Sequence, residues 1–124
     1  MTNKSILVVD DEPELLDLLR EILEMNGHTV LVASSGHEAL DVWEINAEQI
    51  DLLITDLTLP QGMSGVVLAE KLLAQKPGLK VIYNSGYDRV LVTEKYSLPQ
   101  EAIFMKKPFN PDALARMVQF CFAT

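Results

Sequence analysis

Apolar positions along this chain fall into two alternating rhythms. Ile6-Leu7-Val8-Val9 is an unbroken apolar run, the pattern of a strand buried on both faces of a parallel sheet. It ends at Asp10 and Asp11. Glu12-Pro13-Glu14 follows, with proline and acids where a first helical turn favours them. Leu15, Leu16, Leu18, Leu19, Ile22 and Leu23 then recur at helical spacing, and Asn26-Gly27 stops the helix. His28 to Ala33 alternate loosely and predict a second strand. Ser34-Ser35-Gly36 is a loop with capping residues, and Ala39, Leu40, Trp43 and Ile45 give the next helix its apolar stripe. Leu52 to Thr55 predict a third strand. Val67, Leu68, Leu72 and Leu73 predict an inward helix face that ends at Lys76-Pro77-Gly78. Lys80 to Asn84 form a fourth predicted strand, and a weak, short helix is expected within 89–98. Ala102 to Met105 complete the strands. Asn110 then caps a last helix with Pro111 in its first turn and Leu114, Met117, Val118 and Cys121 on its buried side.

Strand and helix thus alternate five times, which implies an α/β domain with a five-stranded parallel sheet and helices on both faces. Right-handed crossovers bring every strand's carboxyl end to one edge, where open parallel sheets carry their chemistry. The first strand delivers Asp10 and Asp11 there, the third Asp56, the fourth Ser85 and the fifth Lys107. Three carboxylates in one place oppose one another's ionisation unless a cation compensates. Hard carboxylate oxygens suit Mg²⁺, and no Cys or His is placed to make a zinc site. Mg²⁺ and the Lys107 ammonium together favour a phosphoryl group. Asp56 is then the natural nucleophile, Ser85 a donor to a phosphate oxygen, and the backbone carbonyl of Thr58 a further metal ligand.

Bulk properties narrow the class. The 124 residues suit one domain, 1–124, and 48% hydrophobic residues supply a core. A formal net charge of -8 argues against direct nucleic-acid binding. The single cysteine, Cys121, rules out an intrachain disulfide and fits a reducing compartment. No apolar run approaches the ~20 residues of a membrane span, and the N-terminal residues lack a signal-peptide pattern. A cytoplasmic protein without membrane insertion is expected. His28 and His37 lack metal-ligand spacing.

Val8-Val9-Asp10-Asp11-Glu12, Asp56 with Pro60 four residues on, Met63-Ser64-Gly65, Ser85-Gly86 and Lys107-Pro108-Phe109 together resemble the receiver domain of two-component response regulators. The resemblance spans nearly the whole chain. It implies a flavodoxin-like (βα)5 fold with strand order 2-1-3-4-5. It implies a phosphorelay switch, not a conventional enzyme, in which Asp56 accepts phosphate from a phosphohistidine on a histidine kinase or a histidine phosphotransfer domain. It assigns Asp11 and Asp56 to Mg²⁺ directly and Asp10 through water, and Lys107 to the phosphate. Lys107, not Lys106, takes this role because the family lysine abuts the proline. Ser85 is implied to move toward the phosphate while Phe104 swings inward, altering the face around the fourth helix and fifth strand for an effector domain or partner protein. Thr58 and Tyr87 are implied to tune the phosphate's lifetime. Pro60 to Gly65 look one residue longer than the commonest family loop. Ser85-Gly86-Tyr87-Asp88 looks like receivers attached to hybrid sensor kinases.

Three other readings compete for these residues. Asp10 and Asp11 are candidate caps for the first helix, and Asp11 is a candidate for cap and metal ligand together. An aspartyl-phosphate phosphohydrolase would use the same nucleophile and Mg²⁺, but the family of such enzymes has a second Asp two residues on as general acid, where this chain has Thr58. A nucleotide-binding flavodoxin-like protein is disfavoured because Asp10-Asp11-Glu12-Pro13 lacks glycines and would repel phosphate.

Overall fold

A computed structural model describes residues 5–87, 89–96, 98 and 102–123. The elements run β1 (Ser5–Val9), α1 (Pro13–Met25), β2 (Thr29–Ala33), α2 (Gly36–Asn46), β3 (Ile50–Asp56), α3 (Gly65–Gln75), β4 (Lys80–Ser85), α4 (Arg89–Tyr96), β5 (Ile103–Lys106) and α5 (Pro111–Ala123). All strand pairs are parallel, in the order β2-β1-β3-β4-β5. The α/β alternation and the strand order both match the expectation. Asp88 of the Ser85-Gly86-Tyr87-Asp88 loop lies outside the described residues.

The sheet separates two cores. On one face, Leu7, Leu53, Tyr83 and Phe104 meet α2, α3 and α4 through Trp43, Leu68, Leu72 and Val92. On the other, Ile6, Val8, Ile54, Ile82 and Met105 meet α1 and α5 through Leu19, Leu23, Leu114 and Val118. Alternate residues of each strand serve opposite faces. Burial on both sides therefore makes β1 and β3 read as continuous apolar runs.

Local chemistry ends the helices much as the sequence suggests. The Ser35 hydroxyl accepts from the Glu38 backbone N–H, and the Glu38 carboxylate accepts from the N–H and hydroxyl of Ser34, a variant of the capping box shifted by one residue at the returning bond. Asn110 Oδ1 accepts from the backbone N–H groups of Asp112 and Ala113 at the start of α5. Ser64 caps α3 through Val67 N–H. Two expectations are corrected. Asp11 does not cap α1: Glu12 holds the cap position, no side chain bonds there, and the Asp10 carboxylate takes the Glu12 N–H instead. Ile45, 84% exposed, and Val67 do not face the core. The turn of each helix directs them to solvent while Trp43 and Leu68 fill the interior. Lys76, expected only as part of a helix stop, donates to the carbonyls of Ala47, Glu48 and Ile50. It fastens the entry to β3.

Gly65 opens α3 directly behind Asp56. Its N–H donates to the Leu57 carbonyl at 2.9 Å, and a Cβ there would collide with the Asp56 carbonyl. Gly65→Ala is therefore expected to destabilise the domain by ~1–3 kcal/mol through overpacking. Gly78→Ala, where a Cβ meets nothing within 4 Å, should stay within ~0.5 kcal/mol of wild type. Urea midpoints at unchanged slope make the comparison.

His28 packs its ring on Phe122 at 5.4 Å between centroids, and burial lowers its pKa below 6.5. The unfolded chain takes up this proton first as pH falls. The stability tied to a neutral His28 is thus intact above pH 6.5 and is lost as pH drops through the folded value. His28→Asn should reduce the fall in the urea midpoint between pH 7.5 and pH 5.

Candidate functional site

The carboxyl edge of the sheet gathers the acids because β1 and β3 are neighbours in register, Val9 beside Thr55. Asp10 and Asp56 follow those positions on the α1/α5 face. Asp10 is 0% exposed and Asp56 is buried, whereas Asp11 is exposed. One carboxylate oxygen from each of Asp10, Asp11 and Asp56 lies within 4.8 Å of the other two.

Lys107 enters this group from beyond β5. Its backbone N–H donates to the Ser85 carbonyl at 2.7 Å, and the peptide to Pro108 is cis. The ammonium lies 2.8 Å from Asp10 Oδ2, 3.0 Å from Asp56 Oδ2 and 3.4 Å from Glu12 Oε1. Burial by itself would lower the Lys107 pKa, but hydrogen bonds and charge from Asp10 and Asp56 outweigh it and hold the group well above its ordinary value. Burial also raises the Asp10 pKa, against the opposing pull of Lys107 and the Glu12 N–H. Lys107 is thus a fixed cation at any physiological pH.

Backbone N–H groups orient two of the carboxylates. Asp10 Oδ1 accepts from Glu12 N–H at 2.9 Å, and Asp56 Oδ1 accepts from Thr58 N–H at 3.1 Å. The Thr58 hydroxyl meets the Tyr96 hydroxyl of α4 at 3.0 Å, so the loop after Asp56 is tied to α4. Ser85 is buried, and its hydroxyl accepts from the Tyr87 N–H at 3.0 Å. Phe104 packs, partly buried, against the α2/α3/α4 core, opposite Tyr83 in register.

The structure brings together Asp10, Asp11, Asp56 and Lys107 in direct proximity. It sets Thr58 and Ser85 at the ends of β3 and β4 beside them and keeps Phe104 on the opposite sheet face. Two participants were not singled out from sequence. Glu12 is a third partner for Lys107; it stood in the quoted motif next to Asp11, but nothing in its spacing separated it from a solvated helix-start acid. Tyr96 reaches Thr58 across 38 residues of chain, a contact with no local signal. Three carboxylates, Asp10, Glu12 and Asp56, face one ammonium, and three hard oxygens converge with Asp11 open to solvent. That donor set fits a divalent cation that keeps waters, such as Mg²⁺.

Residues 6–119 match the family model for the response regulator receiver domain. The transcriptional regulatory protein CpxR of Escherichia coli K12 is 37% identical over 118 residues, 92% of this chain and 47% of CpxR. The sensor kinase CckA of Brucella abortus is 30% identical over 115 residues, 93% of this chain and 12% of that kinase. The chain thus spans less than half the length of either relative. Among solved structures, the response regulator TrrA of Thermotoga maritima, in complex with Mg²⁺ and BeF, superposes with a TM-score of 0.81 at 33% identity, covering 95% of this chain and 98% of that one. Strand order, acid cluster and sequence match lead to one assignment: the chain belongs to the response regulator receiver domain family of two-component systems.

Proposed function

We propose that this receiver is a phosphoacceptor switch whose acceptor is Asp56, charged by a phosphohistidine on a histidine kinase or a histidine phosphotransfer domain. The observation that carries the reading is Asp56 itself. Its carboxylate sits at the sheet edge with Lys107 Nζ at 3.0 Å and oxygens of Asp10 and Asp11 within 4.8 Å.

A carboxylate oxygen of Asp56 attacks the phosphorus. The O–P bond forms as the donor's N–P bond breaks, and the electron pair of the broken bond stays on the imidazole nitrogen. Thr58 N–H holds one Asp56 oxygen and so fixes the angle of approach. Lys107 turns from the carboxylates to an oxygen of the arriving phosphoryl group, whose negative charge it meets in a partly buried site. Mg²⁺, held by Asp11, Asp56 and the Thr58 carbonyl with Asp10 reached through water, would supply the remaining positive charge.

The Ser85 hydroxyl leaves the Tyr87 N–H to donate to the phosphoryl group. Phe104 follows into the space beneath, and the face around α4 and β5 changes. The energetic content is a population shift, since the phosphoryl group binds one of two packings better than the other. Glu12, Leu15, Leu18, Pro108 and Phe109 line a shallow groove beside Lys107, an apolar surface on which a phosphodonor domain can rest. An effector domain or partner protein reads the changed face, as CpxR and CckA, a transcriptional regulator and a sensor kinase, each carry a similar stretch within a longer chain. The domain works on the cytoplasmic side; no helix among the described residues is long and apolar enough to cross a membrane. Thr58 supplies no acid for multiple turnover, and its hydroxyl is engaged by Tyr96, which disfavours a phosphohydrolase.

Acetyl phosphate with Mg²⁺ is expected to add one phosphoryl group at Asp56, read by intact-protein mass, and Asp56→Asn should abolish the addition. An unchanged response in Asp56→Asn, or multiple turnover of a small phosphate ester by wild type, would contradict the assignment. Asp11→Ala should weaken Mg²⁺ binding by about tenfold or more; wild-type affinity in a calorimetric titration removes Asp11 from the site.

A further inference from the structure

Beside Asp56, the neighbouring strand carries a group that the proposed chemistry does not use. Asn84, in β4, is 1% exposed, and among the described residues neither its Nδ2 nor its Oδ1 has a hydrogen-bond partner. Its register neighbours are Asp56 on β3 and Met105 on β5. Strand alternation puts Asn84 on the same face as Ile82, and hence with Ile54 and Asp56, Val8 and Asp10, and Met105 and Lys107. Asn84 is therefore the same-face neighbour of Asp56 across the β3–β4 pair.

A buried amide without a partner is costly, and an apolar strand residue of similar size would cost less. Such a group in a native interior calls for an explanation. The Asp56 carboxylate offers one. Its two oxygens have room for about four hydrogen bonds, while Thr58 N–H and Lys107 Nζ supply one each. If Lys107 turns to an incoming phosphoryl group, Asp56 loses its charged donor. The neighbouring uncharged donor on the same face is the Asn84 amide.

We propose that Asn84 is a positioning residue for phosphoryl acceptance. Its amide N–H takes over the Asp56 oxygen that Lys107 releases, directly or through one buried water, and keeps the acceptor in line. This rests on Asp56 being the acceptor. The structure stores the cost of the unpaired amide in the resting state and relieves it in the phosphorylated one, an exchange of stability for function.

Valine and threonine at this position have nearly the same shape and differ in one hydroxyl, so the pair isolates the hydrogen bond. The initial rate of Asp56 phosphorylation is measured at saturating acetyl phosphate and Mg²⁺, with urea midpoints alongside. Asn84→Val is expected to be at least as stable as wild type yet phosphorylated ~10-fold more slowly, and Asn84→Thr to keep a rate within ~3-fold of wild type. Equal rates in Asn84→Val and wild type, with wild type phosphorylated at Asp56, overturn the role of Asn84 alone. So does an equal loss of rate in both variants, or a lower urea midpoint for Asn84→Val. Wild-type protein that takes no phosphoryl group at Asp56 overturns both this role and the acceptor assignment.

Discussion

The Lys107 ammonium holds the carboxyl edge of the sheet together. It joins residues 97 and 51 positions away in sequence, Asp10 on the end of β1 and Asp56 on the end of β3, from a loop beyond β5. Asp10 is fully buried, and without a cation beside it burial would favour uptake of a proton that neutralises the carboxylate. Removing one partner of such a buried pair leaves the other uncompensated, which is far more costly than the pair's net contribution. The acids and the lysine are therefore mutually dependent. That dependence makes the arrangement responsive, because anything that draws Lys107 away must itself satisfy the carboxylates.

Thr58 connects this electrostatic centre to the rest of the domain. Its backbone N–H orients Asp56 and its hydroxyl meets Tyr96 in α4. Gly65 closes the same loop against the Asp56 carbonyl, where no side chain fits. The loop between β3 and α3 is consequently held at both ends, and Gln61 and Gly62 take positive φ values of 67° and 80° between them. Lys95 adds its ammonium over the rings of Tyr87 and Tyr96, 5.9 Å and 5.5 Å from their centroids, linking the loop after β4 to the same helix. A displacement at Asp56 thus has a short physical route to α4 through named contacts, the kind of two-ended connection that coupling between a site and a surface requires.

The fold was legible in large part because each strand of a doubly covered sheet must be apolar on both sides. β1 and the centre of β3 announced themselves for that reason. Short caps also read well, as at Ser35 and Asn110, since those side chains act on backbone groups two or three residues away. Errors arose where a helix face had to be chosen. Ile45 and Val67 are apolar and close in sequence to core positions, yet at 3.6 residues per turn Val67 lies about 100° around the helix axis from Leu68 and Ile45 about 200° from Trp43. Lys76 looked like a helix stop, but its three carbonyl acceptors come from the segment leading into β3 and from the first residue of that strand.

Sequence alone determined the residue types and their positions at strand ends: Asp10, Asp11, Asp56, Ser85 and Lys107 follow apolar runs whose period and length are local properties. Tertiary structure decided which of them touch. Lys107 engages Asp10, Asp56 and Glu12 because β1 lies between β2 and β3, and the chain after β5 folds back over that edge. Asp11 is left open to solvent because the helix start turns it outward, and Asn84 is left unpaired because β4 lies between Asp56 and Met105. Such choices depend on the relative placement of segments tens of residues apart, which no local spacing encodes.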